Sequence, residues 1–298
     1  MQFDQNTCIL STMPGLNEYY YDGQELVVSD QMKQDFKQDG FIIVRNLLSQ
    51  QELAIVEEAV NGPESLTSFA YGHDDGEGRL AKMCLWNNPG NDTTGVLSRT
   101  RKLANTSKEL LGADVYHYHS KLMMKEAKTG GKFVWHQDYG YWYNFACLYP
   151  DMLTVFIAMD KTDQENGCLQ ILRGSHRCGR LDHGVVAGQN GADLKRVAAL
   201  EAVLDTVFVE LNAGDALFFH SNLLHTSSAN VSQRRRWAIL SCYNTTHNSP
   251  HEKIIHAHYE EPLRLLDNDA VLKTGVNRDL NGKDIVVKTD GNYVHYFS

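Results

Sequence analysis

The residues best suited to chemistry lie in the segment 133–142, where one residue separates His136 from Asp138. On an extended strand, residues two apart point to the same face, so we predict that this imidazole and this carboxylate converge. His225, in the segment 218–226, is the candidate for a third ligand. Two imidazoles and one carboxylate on one face of an octahedron are the ligand set of non-haem Fe(II) oxygenases. We therefore predict that His136, Asp138 and His225 form a catalytic iron site.

Other histidines compete for the same role. His220 lies close to His225 in sequence and is the alternative third ligand. Two further pairs, His117 with His119 and His256 with His258, have a spacing that would allow metal binding. Because neither pair has an evident carboxylate partner, we interpret them as ordinary strand or surface histidines.

Composition restricts the class of protein. The chain has 298 residues, 42% of them hydrophobic, and a formal net charge of −9, which argues against nucleic acid or an anionic membrane as partner. The six cysteines form no CxxC pair, so a reducing compartment is favoured, and we expect a cytoplasmic protein. No run of about 18 apolar residues predicts a membrane span.

Residues 29–111 must position the site from its N-terminal side. A helix is predicted from Ser29 to the stop signal at Gly40, followed by a strand at 41–44 and by a second helix that starts with the capping box of Ser49 and Glu52. Residues 63–95 are rich in Gly, Asp and Asn and are predicted to be a long surface loop, either a lid or an insertion without a role. A further helix is predicted over 97–111.

The strands begin after this helix. We predict strands at 115–126, 133–138, 153–159, 168–172, 206–211, 216–220 and 236–243, with a helix within 188–203. Asp290-Gly291 predicts a C-terminal hairpin. The fold class is α+β, with a double-stranded β-helix (jelly roll) core and flanking N-terminal helices. In the absence of a linker, we expect an arm at 1–28, one catalytic domain at 29–262 and an extension at 263–298.

Five short motifs stand in order along the chain, at 39–44, 135–138, 165–169, 174–176 and 214–216, and are followed by His225 and Arg236. Together they resemble the phytanoyl-CoA dioxygenase family of Fe(II)/2-oxoglutarate oxygenases. Several ordered motifs are far more specific than any single one. Trp142, six residues after His136, resembles a tryptophan of the ectoine hydroxylase branch. Gln137 and Gly140 differ from the residues of that branch, so ectoine itself is not implied as the substrate.

The resemblance implies that Fe(II) binds to His136, Asp138 and His225 and that the enzyme uses 2-oxoglutarate and O2. It favours His225 over His220, because His225 has the family's spacing to Arg236. It also implies that Arg236 anchors the distal carboxylate of 2-oxoglutarate, with Arg234 as the alternative, since guanidinium pairs with carboxylate through two parallel bonds. Ser227, Lys121 and Met123 are the further candidates for cosubstrate binding.

The retained Asp138 implies hydroxylation, because halogenating relatives carry a small residue at that position. The expected reaction consumes 2-oxoglutarate and releases succinate and CO2. Tyr139, Tyr141 and Trp142 are candidate substrate residues, since aromatic clusters hold cations or aliphatic rings. We expect a small amino or imino acid or a related zwitterion. A lipid or acyl-CoA substrate, a non-catalytic jelly-roll binding protein, and a zinc or manganese enzyme of another type are the alternatives. The sequence does not predict an oligomeric state.

Overall fold

The computed structural model describes residues 16–252, 256–289 and 292–296 of the chain. The strands are β1 (Glu18–Tyr20), β2 (Phe41–Arg45), β3 (Tyr71–Asp74), β4 (Leu80–Trp86), β5 (Val115–Lys125), β6 (Phe133–His136), β7 (Met152–Ala158), β8 (Leu169–Leu172), β9 (His183–Val186), β10 (Gln189–Ala192), β11 (Thr206–Val209), β12 (Ala216–His220), β13 (His225–Ser227), β14 (Arg236–Thr245), β15 (Ile285–Thr289) and β16 (Asn292–Tyr296). The α-helices are α1 (Asp30–Asp39), α2 (Gln50–Val60), α3 (Thr93–Ser98), α4 (Thr106–Leu111), α5 (Asp138–Trp142), α6 (Leu194–Glu201) and α7 (Ala270–Thr274).

Two sheets form the core. The larger has the order β1-β2-β12-β7-β14-β5-β4-β15-β16, with β3 paired to β4, and the smaller has the order β11-β8-β13-β6. Strands β9 and β10 form a separate pair. The predicted α+β class with a jelly-roll core is confirmed.

Alternation along the strands of the large sheet separates two apolar layers. Ile43 and Phe156 point to the interior and pack with side chains of the small sheet such as Ile171. Their neighbours Val44 and Val155 belong to the layer that the N-terminal helices cover. The space between the sheets is therefore lined by strand residues of one parity, and the site lies there.

The two predicted N-terminal helices are confirmed with their caps. The Ser29 side chain accepts the Met32 N–H, and Gly40 ends α1 at φ 85°. A Cβ at Gly40 would lie 2.5 Å from Nδ1 of His176, so a close approach also requires glycine here. The capping box of Ser49 and Glu52 is present at the start of α2.

The predicted loop at 63–95 is wrong. It contains β3 and β4, and β4 pairs with β5 in the large sheet, with Ala81 and Cys84 fully buried. Gly, Asp and Asn are concentrated in the turns on either side of β4, which hides the strand in the composition. The single helix predicted over 97–111 is also wrong in part, because α3, a π-helical turn (Arg101–Asn105) and α4 follow one another.

Strand β10 occupies the first part of the region 188–203, so the helix predicted there is limited to α6. The strands of the predicted C-terminal hairpin are confirmed as the pair β15–β16, although the turn at 290–291 lies outside the described residues. Residues 1–15 of the predicted arm also lie outside them, whereas β1 pairs in parallel with β2. In the described ranges, no helix is both long and apolar enough to cross a membrane.

Candidate active site

His136 and Asp138 converge, but not in the way that the strand argument predicted. Strand β6 ends at His136, Gln137 remains extended at φ −113° and ψ 136°, and Asp138 is the first residue of α5. The prediction of one continuous strand is wrong, because the chain turns into a helix between the two residues. The strand end and the helix start still present both side chains to the same space.

The bend at Gln137 is held by buried polar contacts. The Gln137 amide Nε2 donates to the carbonyls of Asn222 at 2.7 Å and Gly179 at 2.8 Å. Its backbone N–H donates to Nε2 of His183 at 2.9 Å. Gly140, within α5, must lack a side chain, because a Cβ there would lie 2.1 Å from the His183 ring. These contacts tie the segment that carries His136 and Asp138 to the segment that leads into His225.

His225 faces His136 across the small sheet. The two are register partners of β13 and β6, and their ring centroids are 4.1 Å apart. Nδ1 of His136 contacts the Val134 carbonyl at 2.8 Å, and Nδ1 of His225 contacts the Leu223 carbonyl at 2.9 Å. A backbone acceptor at Nδ1 fixes the tautomer and leaves Nε2 for a metal.

Asp138 is oriented by two hydroxyl donors. Thr154 donates to Oδ2 at 2.8 Å, and Tyr141 donates to Oδ1. Burial alone would raise the pKa of Asp138, but Lys121 and the two imidazoles hold the pKa below its ordinary value. The side chain is therefore a carboxylate at neutral pH.

The three groups fit a metal ion. Among the described residues, His136, Asp138 and His225 form the one cluster of such groups, with ligand atoms within 4.8 Å of one another. Burial, followed by the neighbouring imidazole, lowers the pKa of His136 to about 3, and burial also lowers the pKa of His225. Neutral imidazoles and an ionised carboxylate are the protonation states that a divalent metal requires.

These groups open into a cavity of about 310 Å³ between the sheets. Arg236 lines it, at the start of β14, and is 2% exposed. Within the described chain, its Nε and Nη2 have no hydrogen-bond partner, and its guanidinium lies 5.2 Å from the centroid of the Phe156 ring. Burial lowers the pKa of Arg236 to about 10, so it stays cationic. A buried cation with free donors is a binding site for an anion.

A buried lysine lies beside Arg236. Lys125 is its register partner on β5, and the Lys125 ammonium donates to Oγ of Ser227 at 2.7 Å and to the Ser228 carbonyl at 2.5 Å. Burial, and then Arg236, lower the pKa of Lys125. Lys125 is not among the predicted site residues, although it shares the strand parity of Lys121 and Met123, which is the signal that could have found it.

The structure places the other predicted site residues as follows. Lys121, Met123, Ser227, Tyr141 and Trp142 line the cavity. Tyr139 does not: it is buried elsewhere, and its hydroxyl donates to the Cys147 carbonyl at 3.2 Å.

Two alternatives raised from the sequence lie outside the cavity. Arg234 pairs at the surface with Asp163 at 2.9 Å and with Glu165 at 3.0 Å. His220 is oriented elsewhere, with its Nδ1 accepting the Asn222 N–H at 3.0 Å and its ring near that of Phe36.

Comparison with known proteins supports the class of enzyme that the site indicates. The sequence profile of the phytanoyl-CoA dioxygenase (PhyH) family matches residues 36–238, and the chain belongs to this family. The family's members are Fe(II)/2-oxoglutarate-dependent dioxygenases that use O2, and this protein is one of them.

Relatives and solved structures agree with this assignment. L-proline trans-4-hydroxylase of Streptomyces griseoviridis is 31% identical over 61% of this chain and 72% of its own length. Ectoine dioxygenase of Bordetella parapertussis is 27% identical over 72% of this chain and 75% of its own. The structure of EctD from S. alaskensis with 2-oxoglutarate and 5-hydroxyectoine superposes with a TM-score of 0.68, at 20% identity over 82% of this chain and 90% of that one.

Proposed function

We propose that this protein hydroxylates a C–H bond of a small amino or imino acid, consuming 2-oxoglutarate and O2 and releasing succinate and CO2. One observation carries the proposal: two imidazoles and a carboxylate converge in the same cavity as a buried guanidinium with unpaired N–H groups. The two imidazoles and the carboxylate can bind a metal ion. A keto acid that chelates this metal also needs the guanidinium for its second carboxylate.

In this proposal His136, Asp138 and His225 hold Fe(II). When bound, the iron supplies the oxygen activation that couples decarboxylation of the keto acid to oxygen insertion into the substrate. The chain's own contribution is to orient the ligands. Thr154 and Tyr141 fix the carboxylate, and the carbonyls of Val134 and Leu223 fix the two imidazoles.

Arg236 binds the distal carboxylate of 2-oxoglutarate in this scheme. Ser227 is held beside it by Lys125, whose hydrogen bond to Oγ at 2.7 Å leaves the hydroxyl hydrogen free to be donated. Met123, between Lys125 and Lys121 on β5, gives the keto acid an apolar wall. The buried Arg236 guanidinium at this end of the cavity disfavours a second cation and favours a dianionic cosubstrate.

Cavity volume favours a small substrate. A volume of about 310 Å³ lies at the lower end of the roughly 300–1,000 Å³ that ligand pockets span, and it must hold both the cosubstrate and the substrate. A lipid or acyl-CoA substrate is therefore disfavoured. The names of two relatives, L-proline trans-4-hydroxylase and ectoine dioxygenase, support an amino-acid-like substrate.

We further propose that the enzyme works in the cytoplasm and does not bind nucleic acid. All five cysteines in the described ranges are free, which fits a reducing compartment. The net charge of −9 gives no basic surface for a polyanion.

The test is succinate release from 2-oxoglutarate in the presence of Fe(II), first alone and then with pooled amino and imino acids. Hydroxylated products are identified by a mass increase of one oxygen atom. We expect the pool to stimulate succinate release by the wild type and not by His136→Ala. Equal succinate from both proteins would contradict the proposal.

A further inference from the structure

Two polar side chains in the wall of the cavity have no role in metal or cosubstrate binding. His119 and Trp142 are both 0% exposed, and their rings meet edge to face with centroids 5.4 Å apart. Neither nitrogen of His119, nor the indole N–H of Trp142, has a hydrogen-bond partner within the described part of the chain. Because an unpaired buried donor is unfavourable, such a pair indicates a ligand that completes its hydrogen bonds.

Strand β5 sets the position of this pair relative to the cosubstrate. Three residues of one parity along β5, Met123, Lys121 and His119, line the cavity, and Lys125 has the same parity at the Arg236 end of the strand. At roughly 3.3 Å per residue, His119 lies about 20 Å along the strand from Lys125. The His119 end of the cavity is therefore separate from the keto-acid site, with Lys121 and the metal ligand Asp138 between them.

The available donors decide which ligand group fits. An indole N–H can only donate, so its partner must be an acceptor. Among the described residues that line the cavity, Asp138 is the single carboxylate, whereas Lys121 and Arg236 are cationic. An ammonium group of the substrate would lack a counter-charge at the His119 end, while an anion would meet two N–H donors and the field of Lys121.

A second imidazole stands beside His119. The His256 ring centroid is 4.4 Å from that of His119, and its Nδ1 contacts Oδ1 of Asn87 at 3.0 Å. Burial, and then His256, lower the pKa of His119, so His119 is a neutral imidazole that can donate one hydrogen bond and accept another. Phe145 packs edge to face on His256, with ring centroids 5.2 Å apart.

We propose that His119 and the indole N–H of Trp142 bind a carboxylate of the substrate and so select free acids over neutral derivatives. The inference rests on the proposed hydroxylase function and specifies the group by which the substrate is recognised. The neighbouring faces of Tyr141 and Trp142 are left for the apolar or cationic part of the same molecule.

The experiment compares a pool of amino and imino acids with the same compounds as carboxamides, which keep the ring or side chain and lose the charge. Hydroxylated product is quantified by mass for the wild type, His119→Leu, His119→Gln and Trp142→Phe. His247→Leu is the matched control, because His247 lies at the surface with 54% of its side chain exposed. Thermal melting and anaerobic 2-oxoglutarate binding establish that each variant is folded.

We expect the wild type and His247→Leu to hydroxylate the acids at least about tenfold better than the carboxamides, the preference that one hydrogen bond to a charged group confers. His119→Leu and Trp142→Phe should raise KM for the acid about tenfold to a hundredfold. His119→Gln, which keeps a donor, should retain part of the preference.

Two results would overturn the inference while leaving the hydroxylase function intact: equal use of acids and carboxamides, or an unchanged preference for acids in both His119→Leu and Trp142→Phe. If His119→Leu does not fold, the acid-to-carboxamide ratio of the wild type and the effect of Trp142→Phe on that ratio still test the inference. Failure of the proposed function is recognised separately, because the wild type then releases no more succinate than His136→Ala.

Discussion

His136 and His225 are direct register partners across β6 and β13, and their ring centroids are 4.1 Å apart. Strand pairing thus brings together two imidazoles that are far apart in sequence. The pairing also fixes their faces, since a slip of one residue would turn either side chain to the opposite side of the sheet. The proposed metal site depends on this register as much as on the identity of its three ligands.

The hydroxyl groups around Asp138 lead to a first prediction. Thr154→Val keeps the shape of the side chain and removes the 2.8 Å hydrogen bond to Oδ2, leaving the carboxylate free to rotate. We expect Fe(II) affinity to fall about tenfold to a hundredfold, as for other groups that orient metal ligands. Anaerobic Fe(II) titration measures the change.

Thr226→Val provides the control, since the Thr226 hydroxyl donates to the Phe133 carbonyl and not to a ligand. Similar iron affinities for Thr154→Val and the wild type would show that Tyr141 alone is sufficient to orient the carboxylate.

The carboxylate anchor gives a second prediction. In Arg236→Ala the distal carboxylate of 2-oxoglutarate loses its buried partner, an interaction whose loss costs roughly 2–5 kcal/mol. We expect KM for 2-oxoglutarate to rise at least about 30-fold, and Arg236→Lys to rescue it poorly because an ammonium lacks the planar fork. Initial rates of succinate release over a range of 2-oxoglutarate concentrations provide the measurement.

The matched variant is Arg234→Ala, which removes an exposed ion pair with Asp163 and Glu165. Its KM should stay within about fivefold of the wild type, because exposed pairs contribute about 1 kcal/mol or less. If Arg234→Ala raised KM more than Arg236→Ala, the anchor would have to be reassigned.

Local signals predicted local structure well. The Ser29 cap, the Gly40 stop and the Ser49–Glu52 box are short-range devices, and all are present. Strand β4 was hidden because the Gly- and Asp-rich turns around it dominate the composition of 63–95, whereas its pairing with β5 comes from distant sequence. The helical start at Asp138 was missed for the same reason, because the bend is fixed by hydrogen bonds from Gln137 to carbonyls more than 40 residues away in sequence.

The site residues also divide into those that sequence motifs reveal and those whose role depends on distant contacts. Motif spacing pointed to His136, Asp138, His225 and Arg236, which share the cavity. Lys125 and His119 were not identified as site residues, because their burial and their partners depend on the pairing of β5 with β14 and on contacts with later segments. Strand parity could have added Lys125 to the candidates, but the parity of a lysine or histidine does not reveal whether the side chain is buried.

A third prediction concerns acid stability. Burial, and then His176, lower the pKa of His220 to about 3, and Nδ1 accepts the Asn222 N–H, so the native state needs the neutral ring. Its folded pKa lies below the unfolded value of about 6.5, so the unfolded state binds more protons between these values and stability falls as pH decreases. Between about pH 6.5 and pH 5 this loss amounts to at most about 2 kcal/mol for the one residue.

His220→Gln keeps an acceptor for the Asn222 N–H and does not titrate. Urea unfolding of metal-free protein at about pH 7 and pH 5 should show that the wild type loses up to about 2 kcal/mol more free energy of unfolding than His220→Gln. His247→Gln, at the surface, should lose as much as the wild type. Equal losses in wild type and His220→Gln would mean that His220 does not contribute to acid sensitivity.

The most direct test of the central claim is anaerobic Fe(II) binding with 2-oxoglutarate present, measured for the wild type and for His136→Ala, Asp138→Ala and His225→Ala. His220→Gln serves as the control, because His220 was the competing ligand in the sequence and lies outside the cavity. We predict that the wild type and His220→Gln each bind one iron per chain and that the three ligand variants lose this binding. Iron binding retained by His225→Ala, or lost by a folded His220→Gln, would contradict the proposed metal site.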